Sequence, residues 1–325
     1  MEIYQDIYSQ GKVVQSGKRE CSERYDTLKK VFSEYQRPFS ILDIGANFGY
    51  FSVRAAEDFG ATSVMVQPKP QASVLKRTCL ENPDLNLTVL SKRVTGADLQ
   101  VMATCERFDV VLALNVLHHI SGSWEQAADA IMDMGDNIIF ENPPENDKGT
   151  CGKKIIKPIW DYFRSLPHEH LGYFSRHTDP NAKSEMIRLK GTGKQISKAY
   201  IGSPVSSSKL KVTFSSNSKE RYVNKTLPNG EEVKYDWING INLQTYLEMG
   251  GYYPTKEELY AQVANKSVKG GYDWDDTHGD IEPWNFVING SDLHIIDLNG
   301  KNNWVKEHLK TDAQGIRKVL RYLKK

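Results

Sequence analysis

Five short apolar runs punctuate the first half of the chain, at 40–44, 63–66, 85–90, 109–114 and 137–140. Between them, 51–59, 70–81 and 124–134 carry apolar residues at three- and four-residue spacing, the period of a helix with one buried face. Strands alternating with helices of this length predict right-handed βαβ units and a parallel sheet. Ahead of the first strand, 20–32 has a helical pattern that would cover a sheet edge. After Pro143 and Pro144 the rhythm changes. A helix is predicted over 154–164, then two strands, 170–177 and 185–189, around the turn-forming Asp179-Pro180-Asn181.

The Gly/Lys/Thr stretch at 190–194 reads as a boundary, dividing the chain into 1–191 and 192–325. Beyond it lie short β-like segments at 196–201, 209–214, 220–227 and 231–238. Asn229-Gly230 between the last two is a strong hairpin dipeptide. Helical spacing returns at 243–249 and 256–264. A further hairpin is predicted over 286–298 around Asn289-Gly290, and a last helix over 312–323.

Composition narrows the functional classes. Of 325 residues, 42 are Lys or Arg and 41 Asp or Glu, a net charge of +1. Such a chain has no global field to hold duplex DNA, so no nucleic-acid partner is expected. An apolar share of 39% suits ordinary cores. No run reaches the ~18 apolar residues of a membrane span. The polar, acidic start does not resemble a secretory signal, so a cytoplasmic location is expected. Cys21, Cys79, Cys105 and Cys151 form no CxxC pair, which argues against a metal knuckle or a disulfide framework.

Two constellations carry chemistry. In the first, the apolar strand 40–44 contains Asp43 and runs into Gly45, Ala46, Asn47, Phe48 and Gly49 before a helix. Gly45 and Gly49 would let backbone approach a ligand closely, although glycines at such turns can equally serve packing. The fourth strand leads into Asn115, Val116, Leu117, His118 and His119. Ligands bind outside the carboxyl ends of parallel strands, which places Asn115 and both histidines near a substrate. Alternatively, the histidines open and cap a helix. Glu141, at the end of the fifth strand, is either a supporting carboxylate or a base.

Asp-x-Gly-x-x-x-Gly after the first strand resembles motif I of class I S-adenosylmethionine-dependent methyltransferases. The reversed hairpin at 170–189 fits that family's last two strands. The resemblance implies a Rossmann-like α/β sheet with S-adenosylmethionine as cofactor. The loop of Gly45, Asn47 and Gly49 would border its methionine part, with Asp43 beneath. The family places an acidic residue on the ribose hydroxyls; Gln67 stands there in this chain, a neutral amide able to accept one hydroxyl hydrogen bond. Asp98 would meet the adenine amine or be a surface turn carboxylate. Asn115 borders the same site, and His118 is the candidate base for a hydroxyl acceptor. The segment around Arg24 resembles one that caps the cofactor in sugar-modifying methyltransferases. Arg24 would then pair with the methionine carboxylate, unless it lies on a solvated helix face.

The second constellation is His278-Gly279-Asp280, then Asn285, then Asp297 at the end of a predicted hairpin. Phosphoryl transfer to a hydroxyl needs a carboxylate to take the proton and oxygen ligands for Mg²⁺ on ATP. The motif closely resembles the catalytic loop of aminoglycoside-phosphotransferase-like kinases. On that resemblance Asp280 is the base, while Asn285 and Asp297 hold Mg²⁺. The stretch 231–243 resembles the hinge that binds adenine. Lys225 is the candidate phosphate-binding lysine, with Lys198 and Lys234 as alternatives. The chain between 194 and 233 is short for a full kinase lobe, so this compact α+β domain is either a minimal kinase or a degenerate one that binds without turnover.

Together the two parts resemble bifunctional methyltransferase–kinase proteins that terminate bacterial surface polysaccharides. The resemblance implies methyl transfer and phosphorylation of a sugar hydroxyl on a glycan or small-molecule acceptor. Two other readings stay open: a methyltransferase with a pseudokinase clamp, and a non-enzymatic ligand-binding protein.

Overall fold

The structure is a computed structural model that describes residues 3–145, 153–177, 179, 181–194, 211–226, 230, 232–251, 286–290 and 292–295. The chain opens with a hairpin that the hydrophobic pattern did not predict, β1 (Ile7–Ser9) and β2 (Lys12–Gln15), followed by α1 (Ser22–Phe32). The expected alternation comes next: β3 (Ser40–Ile44), α2 (Tyr50–Phe59), β4 (Thr62–Val66), α3 (Gln71–Glu81) and β5 (Leu87–Leu90). It continues through α4 (Gly96–Met102), β6 (Phe108–Leu114), a 3-10 turn (Leu117–His119), α5 (Trp124–Met134) and β7 (Gly135–Glu141). Helix α6 (Lys153–Ser165) then leads into β8 (His168–Ser175) and β9 (Lys183–Lys190).

These strands form one seven-stranded sheet in the order β5-β4-β3-β6-β7-β9-β8. It is parallel from β5 to β7, while β9 runs against β7 and β8 against β9. Helices on both faces explain why the central strands read as unbroken apolar runs. Leu42, Ile44, Val64, Val66, Val111 and Phe140 cluster with α4, α5 and α6. The alternate residues Ile41, Met65, Val110, Leu112 and Ile139 cluster with α1, α2 and α3. Strand order reverses between β3 and β6, so a crevice opens there beyond the carboxyl ends.

The described part of the second half comprises an antiparallel sheet of β10 (Lys211–Ser216), β11 (Arg221–Thr226) and β12 (Glu232–Asp236). Next come β13 (Ile241–Asn242), α7 (Leu243–Glu248), β14 (Phe286–Asn289) and β15 (Asp292–Ile295). The strand expected at 196–201 and the helices expected at 256–264 and 312–323 lie outside the described residues. Tyr246, Met249, Phe286 and Ile288 join the core cluster of α4 to α6. Ser91 N–H donates to Gly250 O (3.1 Å), which helps to cover the β5 edge.

The β10–β12 sheet docks at the amino ends of the parallel strands, opposite the crevice. Asp109, wholly buried at the start of β6, accepts hydrogen bonds from Ser40 N–H (2.8 Å) and Ser40 Oγ (3.0 Å). Arg37 pairs with it, and Arg221 Nη1 of β11 reaches it at 3.3 Å. Arg221 also lies over the rings of Phe214 and Trp237. Burial alone would raise the Asp109 pKa, but Arg221 and Arg37 outweigh it and hold the carboxylate below its ordinary range.

Candidate active site

The crevice encloses about 670 Å³, within the range of small-molecule sites. Its floor is the first strand-to-helix turn. Gly45 has φ +76°, and a Cβ there would lie 2.5 Å from Val116 Cγ2. Only glycine allows both the left-handed backbone and the approach of the β6 loop. Gly49 also has positive φ, but a Cβ on it would strike Leu75 and Met65. It is absent from the crevice lining, whereas Gly45 and Asn47 are present. The two glycines therefore differ: Gly45 shapes the site, and Gly49 packs α2 against α3 and β4. The first turn of α2 is already capped, because Gln5 Oε1 accepts from the N–H groups of Phe48 (3.0 Å) and Tyr50 (3.3 Å). Nothing in the local sequence signals Gln5.

Asp43 is buried beneath this turn and accepts from Ser52 Oγ at 2.7 Å. Burial pushes its carboxyl up to about 6, with Ser52 and Arg19 pulling the other way. Gln67 follows β4 and lines the crevice. Its Oε1 accepts from Asn47 N–H (2.9 Å), which ties the glycine turn to β4. The oxygen expected to meet a hydroxyl already accepts from backbone, and Nε2 donates to Gln71 Oε1 at 3.5 Å, so Gln67 can offer a ligand one amide N–H and the oxygen's second lone pair.

On the other wall stands Asn115, with φ +62° and its N–H on Glu141 O (2.6 Å). Its Oδ1 accepts from Arg176 Nη1 at 3.3 Å. His118 and His119 sit in the 3-10 turn, ring centroids 4.0 Å apart, and both line the crevice. His118 Nδ1 lies 3.2 Å from Oδ1 of buried Asn142. If that nitrogen carries the proton, as an amide oxygen favours, Nε2 is the basic one. Burial and then Arg93 hold the His119 pKa below the usual imidazole value.

Two expectations change. Arg24 is neither solvated nor at the crevice. It is buried, and its guanidinium holds Glu141 (3.0 Å), the Glu20 carbonyl and the Ser175 carbonyl. Arg19, five residues earlier, lines the crevice, as do Arg93 and Arg176. It pairs with Glu141 at 2.8 Å and lies over Tyr4 and Phe51, while its buried Nε has no hydrogen-bond partner among the described residues. Glu141, wholly buried, would be raised by burial, but Arg19 and Arg24 hold it below its ordinary value, so it is a counter-ion and not a base. Asp98 likewise leaves the site. Its carboxylate closes a capping box with Thr95 at the start of α4 and meets Lys92 (2.9 Å), outside the lining residues. Thr95-x-x-Asp98 is a legible capping signature.

Asp280, Asn285 and Asp297 lie outside the described residues, as does Lys198. Lys225 is at the centre of β11, paired with Val212 and Val233. Lys234 Nζ meets Glu220 at 2.9 Å. In the hairpin of β14 and β15, Phe286 pairs with Ile295. Among the described residues there is no cluster of potential metal ligands, and no helix is long and apolar enough to cross a membrane.

No family model matches the chain. Two curated Escherichia coli proteins, each an O-antigen chain terminator bifunctional methyltransferase/kinase WbdD, are 30% identical to it over 126 residues. The match covers 37% of this chain and spans only 17% of the length of those relatives. A solved structure of the bifunctional kinase-methyltransferase WbdD is similar with a TM-score of 0.51, over 98% of this chain and 85% of that one, at 18% identity. At that identity the likeness concerns the fold: a mixed α/β chain with a large, mostly parallel, methyltransferase-like sheet. The N-terminal domain of EvdMO1, solved with SAH and D-fucose, is 12% identical with a TM-score of 0.43 over 58% of this chain and 91% of that domain. That likeness is too slight to bear on fold or ligand.

Proposed function

We propose that the chain is an S-adenosylmethionine-dependent methyltransferase acting on a glycan or small-molecule acceptor, with a kinase-like second half at 192–325. The observation that carries this reading is the crevice at the sheet's switch point. Gly45, Asn47 and Gln67 line one wall, Asn115 and His118 the other, and Asp43 lies beneath. These residues fit the cofactor. Arg19 Nε and Asn47 Oδ1 are buried without hydrogen-bond partners among the described residues, and Gly45 keeps its turn clear of a Cβ. Arg19 would hold the methionine carboxylate, in place of Arg24. Gln67 would donate its amide to a ribose oxygen.

The bound cofactor supplies an activated methyl group on a good leaving group. The protein's part is therefore alignment and exclusion of water, which are worth several orders of magnitude in rate. A hydroxyl acceptor must lose a proton, and His118 Nε2, its ring held through Nδ1 by Asn142, is the group to take it. An acceptor oxygen that is already anionic needs no base.

In the second half, the Asp280, Asn285 and Asp297 spacing supports a phosphotransfer site for ATP and Mg²⁺, with Asp280 as base, Asn285 and Asp297 as metal ligands and Lys225 at the phosphates. The described hairpin register favours it, since the paired positions 286 and 295 stand one after Asn285 and two before Asp297. A pseudokinase clamp is the second reading. It is favoured by the short link 227–231 between β11 and β12, which has no room for a lobe helix. Calorimetric titration of the full chain with S-adenosylhomocysteine and, separately, with Mg-ATP tests both halves. Saturable binding of both supports the bifunctional reading, of the first alone the clamp, and of neither refutes the methyltransferase reading.

A further inference from the structure

Strand-to-helix turns of parallel sheets often hold a phosphate, because free N–H groups at the helix N-terminus point at it and the helix dipole favours its charge. The turn after β3 has the position and the glycines for that task, but its donors are already engaged. Every N–H from Gly45 to Tyr50 has an acceptor within the protein. Gly45 and Ala46 donate to Val66 O (2.9 and 3.3 Å), Asn47 to Gln67 Oε1 (2.9 Å) and Gly49 to Ala46 O (2.8 Å). Phe48 and Tyr50 donate to Gln5 Oε1 (3.0 and 3.3 Å). The other acceptors belong to the turn itself or to the end of β4. Gln5 is buried and arrives from the N-terminal segment. That segment is held in place: Lys18 N–H donates to Ile3 O (3.0 Å), Arg19 N–H to Tyr4 O (2.7 Å) and Gly17 N–H to Asp6 Oδ1 (2.6 Å). What the turn presents instead is acceptors. Asn47 Oδ1 is buried without a hydrogen-bond partner among the described residues, and Asp43 lies beneath. None of the cations lining the crevice belongs to this turn; Lys69 follows β4, and Lys92 and Arg93 follow β5, one and two strands away from β3.

A phosphate brought to this turn would lose its water against oxygen acceptors, and would have to expel Gln5 to reach a donor. Resting on the methyltransferase reading, we infer that Gln5 is a specificity-determining residue. It closes the N-terminus of α2 to phosphate, so that the crevice admits adenosine ligands with sulfur on the 5′ carbon and turns away those with phosphate there. Both halves of the chain are expected to take an adenosine ligand, the methyl donor in one and ATP in the other. Adenine and ribose are common to the two, so only the 5′ group distinguishes them. Gln5 makes that distinction at the crevice by occupying the donors a 5′-phosphate would need.

The test is calorimetric titration of S-adenosylhomocysteine into the full chain alone, with 5′-methylthioadenosine, and with adenosine 5′-monophosphate, all without Mg²⁺. Competition confines the result to the crevice, whatever adenine binding the second half shows. Methylthioadenosine should compete at least about tenfold more strongly than the monophosphate, the scale of one charge-assisted hydrogen bond withheld. Equal competition, stronger competition by the monophosphate, or none by either overturns the inference and leaves the methyltransferase reading standing. Failure of S-adenosylhomocysteine itself to bind overturns that reading and the inference with it. In Gln5→Ala the two N–H groups are freed, and the monophosphate should gain at least about fivefold relative to methylthioadenosine, the scale of an ordinary hydrogen bond. A merely structural role would weaken all three ligands together; that result, or an unchanged ratio, overturns the role of Gln5. Gln5→Glu keeps an acceptor on both N–H groups and should refuse the monophosphate at least as well as the wild type. A gain in monophosphate competition there overturns the inference even if Gln5→Ala does not fold.

Discussion

Arg221→Leu tests how the two halves are joined. Removing the guanidinium leaves Asp109 wholly buried, with Arg37 and Ser40 as its remaining partners. Breaking a buried ion pair by deleting one member costs about 3–5 kcal/mol, because a charge is left uncompensated. Arg37 still faces Asp109, which puts the ionic part near 3 kcal/mol. Loss of the guanidinium over Phe214 and Trp237, 5.0 Å from each ring, adds about 0.5–1 kcal/mol per ring. The expected loss is about 4 kcal/mol, read from urea unfolding followed by circular dichroism and tryptophan fluorescence. Trp237 is buried beside Arg221 and reports locally. In a double-mutant cycle with Asp109→Asn, the pair should couple by about 1–3 kcal/mol. S-adenosylhomocysteine affinity should change less than about twofold, because this network lies at the opposite strand ends from the crevice. A loss below about 1 kcal/mol, or additive effects in the cycle, would refute the account of docking.

Three further outcomes follow from the same geometry. Gly45→Ala forces a left-handed φ on alanine and a clash with Val116, so binding of S-adenosylhomocysteine should weaken by at least about tenfold, at about 1–3 kcal/mol of strain, with calorimetry as the check. Glu106 is wholly buried, accepts from Asn242 N–H (3.1 Å), and burial pushes its carboxyl up to about 7. The folded state holds this proton where the unfolded chain has released it, so the group's stabilising effect is full below about pH 4.5 and falls away as pH rises to 7, by up to about 3 kcal/mol. Glu106→Gln should flatten this slope in urea unfolding at pH 5 and pH 7.5; parallel wild-type and variant profiles would contradict it. Asp280→Asn should abolish ATP-dependent phosphorylation in a radiolabel assay while leaving S-adenosylhomocysteine affinity intact; loss of both would sink the idea of two separate sites.

The sheet was legible because its strands are buried on both faces and read as continuous apolar runs, with glycines marking the first turn. The reversed strands were visible through the Asp179-Pro180-Asn181 turn. Helix α4 was less visible: seven residues give little periodicity, although its Thr95–Asp98 capping box was there to be read. The site was legible where one strand end supplies it, as at Gly45, Asn47 and Asn115. It was illegible where charge is decided by distant partners. Glu141 reads from the sequence as either a supporting carboxylate or a base, and Arg19 and Arg24, 122 and 117 residues away, decide for the first. No sequence sign separates Arg24, which the fold buries behind Glu141, from Arg19, which lines the crevice. Asp109 and Arg221 are 112 residues apart, and nothing local couples them.

The measurement that bears most directly on the central claim is calorimetric titration of S-adenosylhomocysteine into the wild-type chain and into Arg19→Gln. The account predicts one saturable site in the wild type and an affinity at least about tenfold weaker in the variant, as expected for loss of a charge-assisted hydrogen bond to a carboxylate. Absence of binding in the wild type, or equal binding by both proteins, would contradict it.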